Sequence, residues 1–142
     1  MLRNIDPLLS PELLHALRRM GHGDMIVIAD ANFPGSSLGP ECIRADGSTA
    51  SRMLEAVLSV MPLDTFIDTP AVSMQVVGKP DAIPPAVADF QRIIDDTADH
   101  PARIEGVERF AFYDLARKAH VILQTGETRL YGNVILVKGV VA

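Results

Sequence analysis

Met25-Ile26-Val27-Ile28-Ala29 runs directly into Asp30 and follows Gly21-His22-Gly23-Asp24. Five consecutive apolar residues between turn formers read as a strand buried on both faces, the habit of a strand inside a parallel sheet. The same stretch carries two groups able to do chemistry. His22 stands on a glycine-hinged turn at the strand's entrance, and Asp30 stands at its exit. Histidine is the side chain whose ordinary pKa lies nearest neutrality, so it both gives and takes protons at working pH. Glycines on either side relax the turn and let a ligand approach the backbone.

Working outward, Ser10-Pro11-Glu12 is a helix start: a capping hydroxyl, a proline at the first helical position and an acid at the positive end of the dipole. Leu13, Leu14, Leu17 and Met20 share one face, and Gly21 is placed to stop the helix. Asn32-Phe33-Pro34-Gly35-Ser36-Ser37 is a loop. Helical spacing returns over Ser48 to Met61, a strand follows over Ala71 to Val77, and Pro84-Pro85 opens a helix running to Asp99. A short strand over Ile104 to Glu108 precedes a helix with Phe112, Leu115, Ala116 and Ala119 on its core side. Val121-Ile122-Leu123 and Val134-Ile135-Leu136-Val137 are the last strands, with a turn at Gly126. Strands alternating with helices predict a layered α/β domain, residues 1–142, around a largely parallel central sheet.

Composition narrows the function classes. The 142 residues suit one domain with a full core, and 48% apolar with 22% charged residues is ordinary for a globular protein. No apolar run approaches the roughly 20 residues that cross a bilayer. The N-terminus lacks the basic segment and apolar core of a secretory signal, so a cytoplasmic protein without a membrane partner is expected. The net charge is −5, and Arg18-Arg19 and Arg117-Lys118 are the only basic pairs, which argues against a nucleic-acid partner. A single cysteine, Cys42, excludes a disulfide framework, and four scattered histidines offer no metal-site spacing. Phosphate-loop, dinucleotide and Gly-x-Ser-x-Gly signatures are absent.

Ligands of open α/β sheets collect beyond the carboxyl ends of strands, where Asp30 lies. His22 and Asp30 are separated by a strand whose first and last Cα atoms lie about 13 Å apart at 3.3 Å per step. They meet only if the His22 turn folds back or another subunit intervenes. The alternative for His22 is a turn histidine without chemistry, and for Asp30 a loop cap. Arg109, before Phe110-Ala111-Phe112-Tyr113 at a strand-to-helix junction, offers five fixed donors for a hydroxyl or an anion. Its alternative is a surface ion pair with Glu108 or Asp114. Tyr131-Gly132-Asn133 brings a phenol, a flexible backbone and an amide before the last strand; its alternative is plain turn chemistry.

Taken together, these blocks resemble a known family. They are Leu9-Ser10-Pro11-Glu12-Leu13-Leu14, Met20 to Asp24, Asp30-Ala31, Phe33-Pro34, Gly39-Pro40 and Ile43 to Gly47, then Arg109 to Tyr113, Thr125-Gly126-Glu127, Tyr131-Gly132-Asn133 and Lys138-Gly139-Val140. In order and nearly end to end, they are similar to the L-fucose mutarotase branch of the FucU/RbsD sugar-mutarotase family. The resemblance implies a three-layer RbsD-like α/β fold and a cofactor-independent isomerase that opens and recloses a monosaccharide ring. It implies His22 as proton donor, with Asp30, Arg109, Tyr131, Gly132 and Asn133 binding the sugar. It also implies a homodecamer with intersubunit active sites. Ribose-pyranase activity and non-catalytic sugar binding in a transport accessory are the alternatives. Asn32 stands where the family carries histidine, and His120 where it carries an apolar or aromatic residue.

Overall fold

The computed structural model describes residues 1–142. Helix α1 spans Pro11–Arg19, and Ser10 caps it as the sequence predicts, its hydroxyl accepting Leu13 N at 3.1 Å. Strand β1 is Met25–Ala29, β2 is Glu41–Ala45, and helix α2 is Ala50–Leu58. Then come β3 (Ala71–Met74), α3 (Pro85–Thr97), β4 (Glu105–Val107), α4 (Arg109–Arg117), β5 (Val121–Thr125) and β6 (Val134–Val137).

The strands form one six-stranded sheet in the order β2-β5-β1-β6-β3-β4. β1 pairs in parallel with β5, β5 with β2, and β3 with β4. β6 runs antiparallel to both β1 and β3. Five strands therefore point one way and β6 the other, so the sheet is mixed although mostly parallel.

Alternation along the strands divides the core into two layers. Ile26, Ile28, Val121, Leu123, Val134 and Leu136 face helices α1, α2 and α3 in the larger cluster. Val27, Ala29, Ile122 and Ile135 face the other way and pack on Phe112 and Ala116 of α4. The two clusters hold 26 and 10 buried residues, so three helices cover one face well and one helix covers part of the other. That thinner layer leaves the neighbourhood of Asp30 open.

Two local expectations change. Strand β2 has no signal in the apolar pattern: Glu41-Cys42-Ile43-Arg44-Ala45 lies at a sheet edge, buries only Ile43 fully, and shows no apolar run. Gly21 does not stop α1 in a left-handed conformation. Met20 is the C-cap with extended dihedrals, and the Lys138 ammonium donates to Leu17 O at 2.8 Å and Met20 O at 2.6 Å instead. The left-handed residue of this turn is Gly23, at φ +88°.

Gly126, just past β5, is required by close approach. A Cβ there would lie 2.0 Å from Asp46 O, while Gly126 N donates to Ser48 O at 2.8 Å. Gly126→Ala should therefore destabilise the fold by about 1–3 kcal/mol, the range for overpacking a tight site. Urea unfolding should show a lower midpoint with unchanged slope; an unmoved midpoint would mean that the β2–α2 turn gives way freely.

Candidate functional site

The two ends of β1 carry different polar constellations, and the chain does not bring them together. At the C-terminal end, Asp30 is 5% exposed and gathers donors: Asn32 N at 3.0 Å, Gly132 N at 3.1 Å and Asn133 Nδ2 at 3.2 Å. Asn133 also accepts Asp30 N at 2.7 Å, so side chain and backbone clamp each other. Burial raises the Asp30 carboxyl above its ordinary proton affinity, against the opposing effect of these hydrogen bonds.

Tyr131, Gly132 and Asn133 reach this position through a constrained loop. Tyr131 is a non-glycine residue at φ +58°, a conformation kept only where the surroundings enforce it. Its phenol oxygen accepts Val77 N at 3.2 Å. Gly132 has no room for a side chain, since a Cβ would lie 2.8 Å from Glu127 Cγ. Gln124, buried at the end of β5, holds the opposite wall by donating to Phe33 O at 2.6 Å and Asp30 O at 3.3 Å.

Arg109 is the first residue of α4, and neither expected carboxylate takes its charge. Glu108 is the N-cap, accepting Phe110 N and Ala111 N, and Asp114 pairs with Arg117 at 2.8 Å. The Arg109 guanidinium instead lies over the Phe110 ring, 4.6 Å from its centroid, with its donors uncommitted to any acid. Asp30, Arg109, Tyr131 and Asn133 line one open cleft of about 240 Å³, walled further by Phe33, Met74 and Tyr113. The sequence-derived binding set, Gly132 included, thus converges, and it converges without His22.

His22 lies at the N-terminal end of β1 and is paired there with a residue the sequence reading did not single out. Its Nε2 is 3.0 Å from Asp64 Oδ1; the imidazole is 45% exposed and the carboxylate 2%. The Phe66 ring stands beside it, centroids 4.8 Å apart. Burial works against the charge on Asp64, but donation from Phe66 N and His22 outweighs it, holding the carboxyl below its ordinary value. Asp64 is 42 residues from His22 in a loop between α2 and β3, and no motif announces it. Gly139 makes room for it: a Cβ there would lie 2.7 Å from Leu63 O and 2.8 Å from Asp64 Cα. No cluster of three or more histidine, cysteine or acidic groups is arranged to hold a metal ion.

Behind the cleft loop, Glu127 accepts Arg129 Nη2 at 2.8 Å and Nε at 3.1 Å, and Arg129 reaches Ser51 Oγ at 2.9 Å. Ser51 in turn donates to Asp89 Oδ2 at 2.5 Å, which ties the loop to α2 and α3.

The fold and the cleft define a class: a layered α/β protein with an open recess, a few polar groups set among apolar walls, sized for a small ligand. Comparisons narrow it. The profile of the RbsD / FucU transport protein family matches residues 3–141. The fucose mutarotase of Bos taurus is 50% identical, over 100% of this chain and 95% of its own. That of Homo sapiens is 48% identical, over 99% and 95%. The crystal structure of the Streptococcus pneumoniae fucose mutarotase, in complex with L-fucose, superposes with a TM-score of 0.91 at 41% identity, covering 99% of this chain and 100% of that one. The chain belongs to the RbsD / FucU family.

The Arg129 side chain's hydrogen bonds hold Glu127 below its ordinary pKa of 4.5, and the Ser51 hydroxyl chiefly holds Asp89 below 3.8. Between the folded and ordinary values the native state binds fewer protons than the unfolded one. The stability these groups contribute is therefore complete above the ordinary value and is lost as pH falls through the folded one. Glu127→Gln should melt lower than the parent at pH 7 and lose less on acidification from pH 7 to 3; calorimetry giving parallel curves would remove this pair from the acid response.

Proposed function

We propose that this protein is a fucose mutarotase, interconverting the α and β anomers of L-fucose by acid/base-catalysed ring opening and reclosure. The observation that carries the reading is the full-length similarity to fucose mutarotases, in a chain that presents a solvent-accessible imidazole and an open cleft with polar groups among apolar walls. In the reaction, C1–O5 breaks with its electron pair going to O5, which gains a proton. The O1 proton leaves as the C1 carbonyl forms. Rotation about C1–C2 and reclosure on the other face reverse both transfers. No oxidation or group transfer occurs, so acid/base groups suffice.

His22 is assigned the proton-donor role. Asp30, with its proton affinity raised by burial, suits a hydroxyl acceptor at the floor of the cleft. Arg109 has donors free for the sugar, and Tyr131, Gly132 and Asn133 form the hydroxyl-reading wall. Replacing His22 with alanine should lower anomer exchange by at least roughly a hundredfold. Saturation-transfer NMR on L-fucose would measure this, with D-ribose and D-galactose as comparison sugars. Full exchange in that variant would end the assignment; unchanged sugar binding with no exchange in the parent would favour a binding protein.

The site is assigned to neighbouring subunits, with His22 of one copy facing the cleft of the next, in a decamer. Two features support this: the length of β1 separates the two constellations, and apolar side chains are exposed at both ends. Phe66 and Ile67 are 73% and 46% exposed beside His22; Val77, Phe110 and Leu130 are 63%, 61% and 70% exposed around the cleft. Mixed refolding of His22→Ala with Arg109→Ala should recover part of the activity that each lacks, because some interfaces then carry both intact halves. No recovery, or a monomeric mass by light scattering, would discard the intersubunit site.

A further inference from the structure

We infer a second binding site on each chain: the cavity between α3 and the β3–β4 pair takes a hydroxylated monocarboxylate, an open-chain sugar acid. The inference goes beyond the reading of the cleft and does not rest on it.

The sheet makes this cavity by leaving a side chain out. Ser73 of β3 and Gly106 of β4 are register partners, so both look to one face of the sheet. A Cβ on Gly106 would lie 3.9 Å from Ser73 Oγ and 3.2 Å from Gln75 Cγ, so the bare glycine keeps the floor open. Val87, Ala88 and Gln91 of α3 supply the facing wall, and residues 81–84 supply the rim. The enclosed space is about 350 Å³, larger than the cleft. Cavities of this size, with apolar walls and a few polar groups, hold small organic ligands.

The floor carries the observation that points to a ligand. Ser73 is only 5% exposed and lines the cavity, yet its hydroxyl makes no hydrogen bond within the protein. Every fully enclosed polar side-chain atom of the chain does have a partner. The Ser73 hydroxyl therefore opens into the cavity, and its partner must come from there.

The charges select the partner's chemistry. Arginine ion pairs are made by Arg44, Arg52, Arg92, Arg117 and Arg129, and Arg103 on the cavity wall makes none. Its guanidinium matches a carboxylate with two parallel hydrogen bonds. Asp81 on the rim is also unpaired; it opposes a doubly charged phosphate but accepts from hydroxyls. Gln75 donates its Nε2 to Gly106 O at 3.0 Å, which leaves its Oε1 as a further acceptor. Gln91 is wall alone, since Nε2 donates to Asp95 Oδ1 and Ala102 O and Oε1 accepts Ile104 N. One free guanidinium, acceptors for hydroxyls and apolar surface for C–H groups together describe a hydroxy acid. An open-chain sugar acid has no anomeric carbon, so it would occupy this cavity as a ligand and not as a mutarotation substrate.

Isothermal titration calorimetry of the full chain with D-gluconate and with L-fuconate tests the site. The expected result is saturable binding of at least one of them, one molecule per chain. Arg103→Ala, at an exposed residue outside every ion pair, should weaken binding at least tenfold, the loss of a charge-assisted hydrogen bond. Gly106→Val should abolish it by filling the floor; Gly106 has no left-handed φ, and valine suits a strand. Both variants should keep the parental circular dichroism, and Arg109→Ala should leave the affinity within twofold. No saturable binding of either acid into the millimolar range overturns the site. Binding lost in Arg109→Ala but kept in Arg103→Ala places the acid in the cleft and overturns it equally. Equal affinity for the neutral polyol D-glucitol would show that no carboxylate is read and would overturn the ligand class.

Discussion

β1 and β6 pair antiparallel from Met25 against Val137 to Ile28 against Val134, and this ladder delivers both polar constellations. Past one end of it, Lys138 N donates to Asp24 O and Gly23 N to Lys138 O, which seats the His22 turn on the continuation of β6. The same continuation bridges Leu63 and receives Asp64. Past the other end, Asn133 immediately precedes β6 and closes on Asp30, which immediately follows β1. A one-residue slip would turn every β1 side chain to the opposite helix layer and misplace both ends at once. Two apolar strands, each buried on both faces, thus do for the site what no local motif does.

Three buried carboxylates sit around this ladder, and each is kept by a different compensation. Asp30 is held by backbone and amide donors and retains a raised proton affinity. Asp64 is lowered by Phe66 N and His22, and Glu127 by a neighbouring guanidinium. An unpaired buried charge is costly, so such groups persist only with these partners. The division is chemically useful. Glu127 is paired with Arg129 behind the cleft loop, whereas Asp30 has no cation against it and is held by backbone and amide donors alone.

Much of this was legible in the residues. The β1 run, the Ser10 cap and the burial of β6 follow from apolar pattern and short-range hydrogen bonding, which act within a few residues. β2 escaped because an edge strand needs only one well-buried face, and Arg44 and Glu41 mask the pattern. Gly21 misled because a glycine near a helix end resembles a stop, while the cap came from Lys138, 118 residues distant from Met20. Arg109 was ambiguous for a similar reason. Only the structure shows Glu108 committed to capping and Asp114 to Arg117, and so leaves the guanidinium free.

The separation of His22 from the cleft also constrains how copies can associate. Across a two-fold interface residue i meets residue j and j meets i, so a pairing of His22 with the cleft made there would be reciprocal and would close at two copies. Where the N-terminal edge of β1 and the cleft instead belong to two separate patches, the contact between copies is heterologous. Such contacts propagate, closing into a ring if the rotation per step divides a full turn and running on as a filament otherwise. In the proposed decamer of stacked rings, contacts of this kind would close each ring and a second contact would join the rings. Under that proposal the half-exposed imidazole of a lone chain would be one part of a site, and each contact within a ring would complete one site while leaving the outer cleft and outer His22 for the next neighbour.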